Sequence, residues 1–191
     1  LLTLVLKPRN EIIHKTVVTN FRNLMANYQL LTFVIPKTAI EKEFGKIPSK
    51  IDFVLNMEGH RTEKWWKEIS LDFKHLEQNI DMIISRADWA ELEDMSWKSE
   101  KTKFDHDASI DFDIKNNRIE EFQFRTDLRD DTLIFLNQML NLLKKNEFIL
   151  MDQKGYLCNP NLKELRELIT ESDSYTYLKN LVASNKLLKD L

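Results

Sequence analysis

Asp107-Ala108-Ser109-Ile110-Asp111-Phe112-Asp113-Ile114 and, after Lys115-Asn116-Asn117-Arg118, Ile119-Glu120-Glu121-Phe122-Gln123-Phe124-Arg125-Thr126-Asp127-Leu128 read as the two strands of a β-hairpin. Ala108, Ile110, Phe112 and Ile114 alternate with Asp107, Ser109, Asp111 and Asp113. In the second run Phe122, Phe124, Thr126 and Leu128 alternate with Glu121, Gln123, Arg125 and Asp127. A period of two with one apolar side marks a strand that packs one face on a core and turns the other to water. Loop length then sets the register. A two-residue turn at Asn116-Asn117 puts Phe112 opposite Glu121, whereas a three-residue loop over 116–118 puts Phe112 opposite Phe122 and Ile110 opposite Phe124. The second is expected, with Asn117 or Arg118 supplying the positive φ. It sets Asp113 across from Glu121 and Asp111 across from Gln123 on the outer face, with Lys115 and Arg125 close enough to offset part of the repulsion.

Downstream, Asp130 or Asp131 is in position to cap a helix over 131–145, whose apolar residues leave only a polar stripe of Asn137, Gln138, Asn141, Lys144 and Lys145. Strands over 147–151 and 155–158 flank an Asp152-Gln153-Lys154-Gly155 turn. A helix over 161–170 follows Asn159-Pro160, and Ser172 or Asp173 starts a last amphipathic stretch. Residues 107–180 thus form a hairpin, helix, hairpin, helix unit. Upstream, strands are expected at 2–6, 30–35 and 51–57, and helices at 17–28 and 38–44, the latter with Gly45 just past its end. From Thr62 the apolar residues Trp66, Ile69, Phe73, Leu76, Ile80 and Ile83 recur at steps of three and four, a helix face toward a core, with Ser70 as a break. Trp65 diverges from Trp66 by about 100° on a helix and is expected to be half exposed. The fold class is α+β: an antiparallel sheet built from β-hairpins, packed against amphipathic helices. One domain over 1–191 is expected, with 1–60 as a possible N-terminal subdomain.

Composition narrows the function classes. Three glycines rule out a phosphate-cradling Gly loop, a dinucleotide fingerprint and a G-x-S-x-G elbow in their usual forms. The single cysteine, Cys158, excludes an internal disulfide framework and a cysteine zinc cage, and is expected to be a buried, inert strand residue in a reducing cytoplasm. No apolar run approaches the roughly 20 residues that span a bilayer, so no membrane partner is expected. The opening 1–6 segment lacks a basic lead and a small-residue cleavage site, and reads as a strand. Net charge is −3, but residues 51–130 carry 20 acidic and 12 basic side chains against 3 and 8 in residues 1–50. Such a field repels nucleic-acid phosphates and favours a basic partner.

Sites of chemistry are few. His106-Asp107 has the form of a metal-ligand pair, but His14, His60 and His75 have no ligand spacing, so neither a metal site nor a cofactor is expected. Asp113-Ile114-Lys115 has the D-x-K form of one nuclease class, which gives an alternative reading: a metal-dependent hydrolase or nuclease using Asp113, Lys115 and Glu121, with Asp111 beside them. Trp89 and Trp97 lie among the acids of 88–113, the layout of an aromatic anchor with a charged rim.

The runs 119–130 (IEEFQFRTDLRD), 150–160 (LMDQKGYLCNP) and 172–179 (SDSYTYLK), with the apolar helix between the first two, resemble small bacterial proteins of the immunity type. That resemblance implies a non-catalytic cytoplasmic protein that neutralises a toxin by occupying its surface. It carries over no site residues. From the residues themselves, the expected binding set is Asp111, Asp113, Glu121, Gln123 and Arg125 on the outer hairpin face, with Trp89 and Trp97 as anchors for a basic protein partner.

Overall fold

The computed structural model describes residues 28–52, 62–67, 69, 71–90, 94–100 and 104–189, with 94 and 182–189 as backbone. The expected strand at 2–6, the helix at 17–28 except for its last residue, and most of the strand at 51–57 lie outside these residues. Six strands, β1 (Gln29–Pro36), β2 (Asp94–Lys98), β3 (Asp107–Asp113), β4 (Arg118–Asp127), β5 (Phe148–Met151) and β6 (Leu157–Cys158), form one antiparallel sheet in the order β2-β3-β4-β1-β5-β6. The helices are α1 (Lys37–Phe44), α2 (Glu63–Trp66), α3 (Phe73–Asp81), α4 (Ile134–Lys145), α5 (Leu162–Thr170) and α6 (Asp173–Lys189). The fold is α+β.

Alternation sorts the strand residues into two cores. On the inner face Val34, Trp97, Ile110, Phe122, Phe124 and Leu150 meet Leu76 and Ile80 of α3, Leu136, Met139 and Leu143 of α4, and Leu165 of α5. On the outer face Phe33, Ile35, Ile149, Met151 and Leu157 meet Ile40 of α1, Trp65 of α2 and Ile51. The adjacent tryptophans explain how a one-turn helix serves both. Their divergence by about 100° sends Trp66 to the inner core and Trp65 to the outer one. Trp65 is therefore buried, at 3% exposure, and not half exposed as expected. Asp72 accepts from the His75 N–H at 3.0 Å and starts α3, which separates it from α2.

Three expectations of detail are corrected. The hairpin register is two residues away from the one expected: Ile110 faces Phe122, Ala108 faces Phe124 and Phe112 faces Ile119. A slip of two keeps every side chain on its face, so the core is unaffected. Charge accounts for the choice. The expected register opposes Asp113 to Glu121 and Asp107 to Asp127, two like-charge pairs. The observed one opposes Asp107 to Arg125 and Asp113 to Arg118, and leaves only Asp111 opposite Glu121. The bulge at Glu120 turns both Ile119 and Phe122 inward, and Asn117 takes the positive φ of 50°. Second, α4 begins at Ile134 after Leu133 in the left-handed region, so neither Asp130 nor Asp131 caps it; Asp130 instead accepts from Thr132 N–H and Oγ1–H. Third, Trp97 is 1% exposed in the inner core, where its Nε1–H donates to Asp81 at 2.7 Å under the Arg86 guanidinium. It is not available as an anchor.

Both sheet edges are occupied. Ala87 N–H donates to Ser96 O and Lys98 N–H to Ser85 O along β2, each at 2.9 Å. At the far side Ile51 N–H donates to Gly155 O and Leu157 N–H to Ser49 O. Covered edges remove the template for strand addition by another chain, so a partner has to use side-chain surfaces.

Candidate binding face

The outer face of the sheet is covered over β1, β5 and β6; over β2, β3 and β4 it is open, among the described residues, around Lys98, Asp107, Ser109, Gln123 and Arg125, while Glu121 and Asp127 are buried and Glu63 of α2 reaches Arg118 at the hairpin end. Trp89, Ser96, Trp97, Lys98, Asp107, Ala108, Ser109, Asp111, Gln123 and Arg125 line a depression of about 330 Å³ there. Of the residues expected to bind, Asp111, Gln123, Arg125 and Trp89 are thus brought together around one depression. Trp97 borders the depression but commits its indole to the core. Trp89, on the turn before β2, is 59% exposed. Asp113 lies at the hairpin end, where the Asn116 side-chain amide and N–H hold its carboxyl below the usual range and Arg118 approaches at 3.6 Å. Glu121 is 7% exposed beside Asp111.

The floor is a cross-strand row of alternating charge. Lys98 of β2 bonds Asp105 and reaches Asp107 at 3.2 Å, and Asp107 accepts from Arg125 Nε at 2.7 Å. Gln123 Nε2–H donates to Ser109 Oγ at 3.2 Å. Single surface pairs stabilise by about 0–1 kcal/mol, but a row shares its ordering cost, so its main effect is to fix the side chains before any partner arrives. Charge is divided unevenly across the sheet. Strands β2, β3 and β4 carry seven acids (94, 107, 111, 113, 120, 121, 127) and three bases (98, 118, 125), a net of −4, while β1, β5 and β6 carry no charged residue.

The catalytic alternative does not assemble. Lys115 is exposed on the turn, Asp113 opposes Arg118, and Glu121 opposes Asp111 two rungs away across the bulge. Among the described residues no three His, Cys, Asp or Glu side chains are placed to hold a metal ion. His106 is 6% exposed with both ring nitrogens engaged: Nδ1 accepts from Asp127 N–H at 3.1 Å and Nε2 lies 3.2 Å from Asp130 Oδ2. A second depression, about 500 Å³ between α1 and α2, is lined in part by Lys64, Trp65 and Glu43. Glu43 there accepts from Lys64 at 2.8 Å and from Trp65 Nε1–H at 2.6 Å, so its carboxylate is spent within the fold. Cys158 is buried, and burial first, then the carboxylates of Glu164, Asp152 and Glu167, push its thiol up to about 12.

The sequence reading missed the buried polar knot at the root of the hairpin. Asp127, fully buried, accepts from Asp105 N–H at 2.8 Å and from the Arg129 guanidinium at 2.5 Å, while Arg129 lies over the Tyr28 ring at 3.7 Å. Burial pushes the Asp127 carboxyl up, and Arg129 with the two backbone N–H donors brings it below the usual range. One signal was present. Asp127-x-Arg129 and Asp130-x-Thr132 are successive Asx-turns, in which the carboxylate accepts the N–H two residues on.

No protein-family model, curated protein or solved structure matches the chain. No helix of the described residues is long and apolar enough to cross a membrane.

Proposed function

We propose that this chain is a non-catalytic binding protein that holds a basic protein partner on the uncovered face of β2, β3 and β4, with Trp89 as the side chain the partner covers. The observation that carries the reading is the coincidence, on one half of the sheet, of an exposed indole, a pre-ordered polar floor and all the charged residues of the strands, net −4. Charge of this kind acts over a screening length of about 8–10 Å and chiefly speeds encounter. A desolvated tryptophan acts on the lifetime of the complex. The finer form of the proposal is a cytoplasmic immunity-type protein whose partner is a toxin; the pattern of 119–179 and the unpaired, buried Cys158 support it.

The test is site-directed photo-crosslinking in the source cells, with the reactive residue at position 89 or, as control, at the exposed Ile134 of α4. The expected result is a single basic protein joined from 89 and not from 134, with less of it captured when Asp111 is also changed to Lys. Equal capture from both positions, or an acidic product from 89, contradicts the proposal.

A further inference from the structure

The β3–β4 ladder ends on a side chain. Its last paired residues are Asp107 and Arg125, and the next inward-directed donor, Asp127 N–H, has no strand carbonyl opposite it. It bonds His106 Nδ1 instead, while Asp105 N–H bonds the Asp127 carboxylate in return. The imidazole therefore completes a rung that backbone geometry leaves open. Because Nδ1 accepts, it carries no proton, and the ring is the Nε2–H tautomer that donates to Asp130. The ring is stacked on Phe135 of α4 at 4.5 Å between centroids and is 6% exposed.

A second proton can enter only at Nδ1, where it meets the Asp127 N–H head-on. Two donors then share one contact and the amide is orphaned in a buried place. The charged groups around the ring are Asp105 beside it in the segment before β3, Asp127 on β4, and Arg129 and Asp130 on the loop after β4; α4 contributes only apolar Phe135. Burial opposes the charged ring and outweighs the three carboxylates, so His106 stays neutral below the ordinary imidazole range. His106 is covalently next to Asp105 and Asp107, the two carboxylates that hold Lys98, and Asp107 also holds Arg125.

We propose that the His106–Asp127 bond is a proton-operated latch: a proton taken up at Nδ1 breaks it, frees the last rung of the β3–β4 ladder, and loosens the Asp105–Lys98–Asp107–Arg125 row that floors the binding face. As regulation of that face the latch rests on the binding reading. Its opening does not, and is observed in the protein alone.

The experiment is NMR on the isotopically labelled full chain, following the His106 ring nitrogens and the Asp127 amide from about pH 7.5 to about pH 5. The Nε2–H tautomer is expected at the upper end. As the ring titrates, the Asp127 amide should lose protection by about tenfold, the weight of one lost hydrogen bond. In His106→Gln, whose amide can accept from Asp127 and donate to Asp130 without titrating, that protection should stay flat. If this variant does not fold, the wild-type titration decides alone. An Nδ1–H tautomer at the upper end, or an Asp127 amide indifferent to ring protonation, overturns the latch and leaves the binding face as described. Failure to find a partner at Trp89 removes the binding reading and does not move the Asp127 profile.

Discussion

The two halves of the sheet are built from opposite materials. β1, β5 and β6 contain no charged side chain and are buried on both faces, whereas β2, β3 and β4 carry ten charged residues and leave much of their outer face open among the described residues. Both halves share the inner core, so the difference is confined to the outer face. Where helices α1 and α2 cover it, the strands carry no charge and are mostly apolar, with Gln29 and Thr32 of β1 as buried polar exceptions, as suits doubly buried strands. Where no described element covers it, polar residues alternate with apolar ones and tie to each other. One half of the outer face is spent on stability, and the other is the half proposed above to serve recognition.

Four expected outcomes break or sharpen this contrast, from largest to smallest. The first compares thiols. Cys158, with its thiol pushed up to about 12, should label with a thiol reagent at least ~1000-fold more slowly than a cysteine placed at Ser109 on the uncovered half. Comparable rates would mean that the covered half opens readily.

The second compares truncations. Phe33→Ala in the covered half should cost about 3–5 kcal/mol in urea unfolding, because Phe33 is fully buried between helix and sheet. Trp89→Ala should change stability by no more than about 0.5 kcal/mol, yet shorten the lifetime of a partner complex by about tenfold or more. If Trp89→Ala destabilises as Phe33→Ala does, the indole is structural.

Asp127→Asn tests the knot between the halves, where β4 meets β1. The loss should be roughly 1–3 kcal/mol near neutral pH, from weakened bonds to Arg129 and Asp105 N–H. The sign with pH follows from the lowered folded value. The carboxylate's contribution is present above the unfolded value of about 3.9 and is lost as pH falls through the folded one. The Asn variant should therefore approach wild-type stability in acid; a constant gap across pH contradicts an ionised, stabilising Asp127.

The smallest effect is electrostatic. Asp111→Lys should slow association several-fold at low ionic strength and have little effect at about 0.5 M salt, where charges on the face are screened. Asp111 suits this test better than Asp113, which closes the turn through Asn116.

What the sequence made legible follows the same division. Strand phase was readable wherever apolar and polar residues alternate, so the hairpin faces, the second hairpin at Phe148–Met151 and Leu157–Cys158, and the helix that follows Asn159-Pro160 stand as expected. Register was not, because phase is blind to a slip of two and the deciding contacts are charge pairs across strands, Asp107 with Arg125 and Asp113 with Arg118. Within the candidate site, the grouping of Asp111, Gln123 and Arg125 was visible from alternation alone. The role of Trp97 was not: its position among acids suggested an anchor, but its pairing with Ala108 puts it on the core side. The His106 knot was missed because its residues lie 21 and 24 positions apart and meet only through the fold.

The central claim is that the uncovered half is where a partner sits. Amide-shift mapping of the labelled chain, titrated with the protein crosslinked at position 89, tests it most directly. The account predicts shifts and line broadening at Ser96, Ser109, Gln123 and the Trp89 indole, with Phe33, Ile149 and Met151 unmoved. Changes centred instead on the α1–α2 depression or on α6, with the β2–β3–β4 face silent, would contradict it.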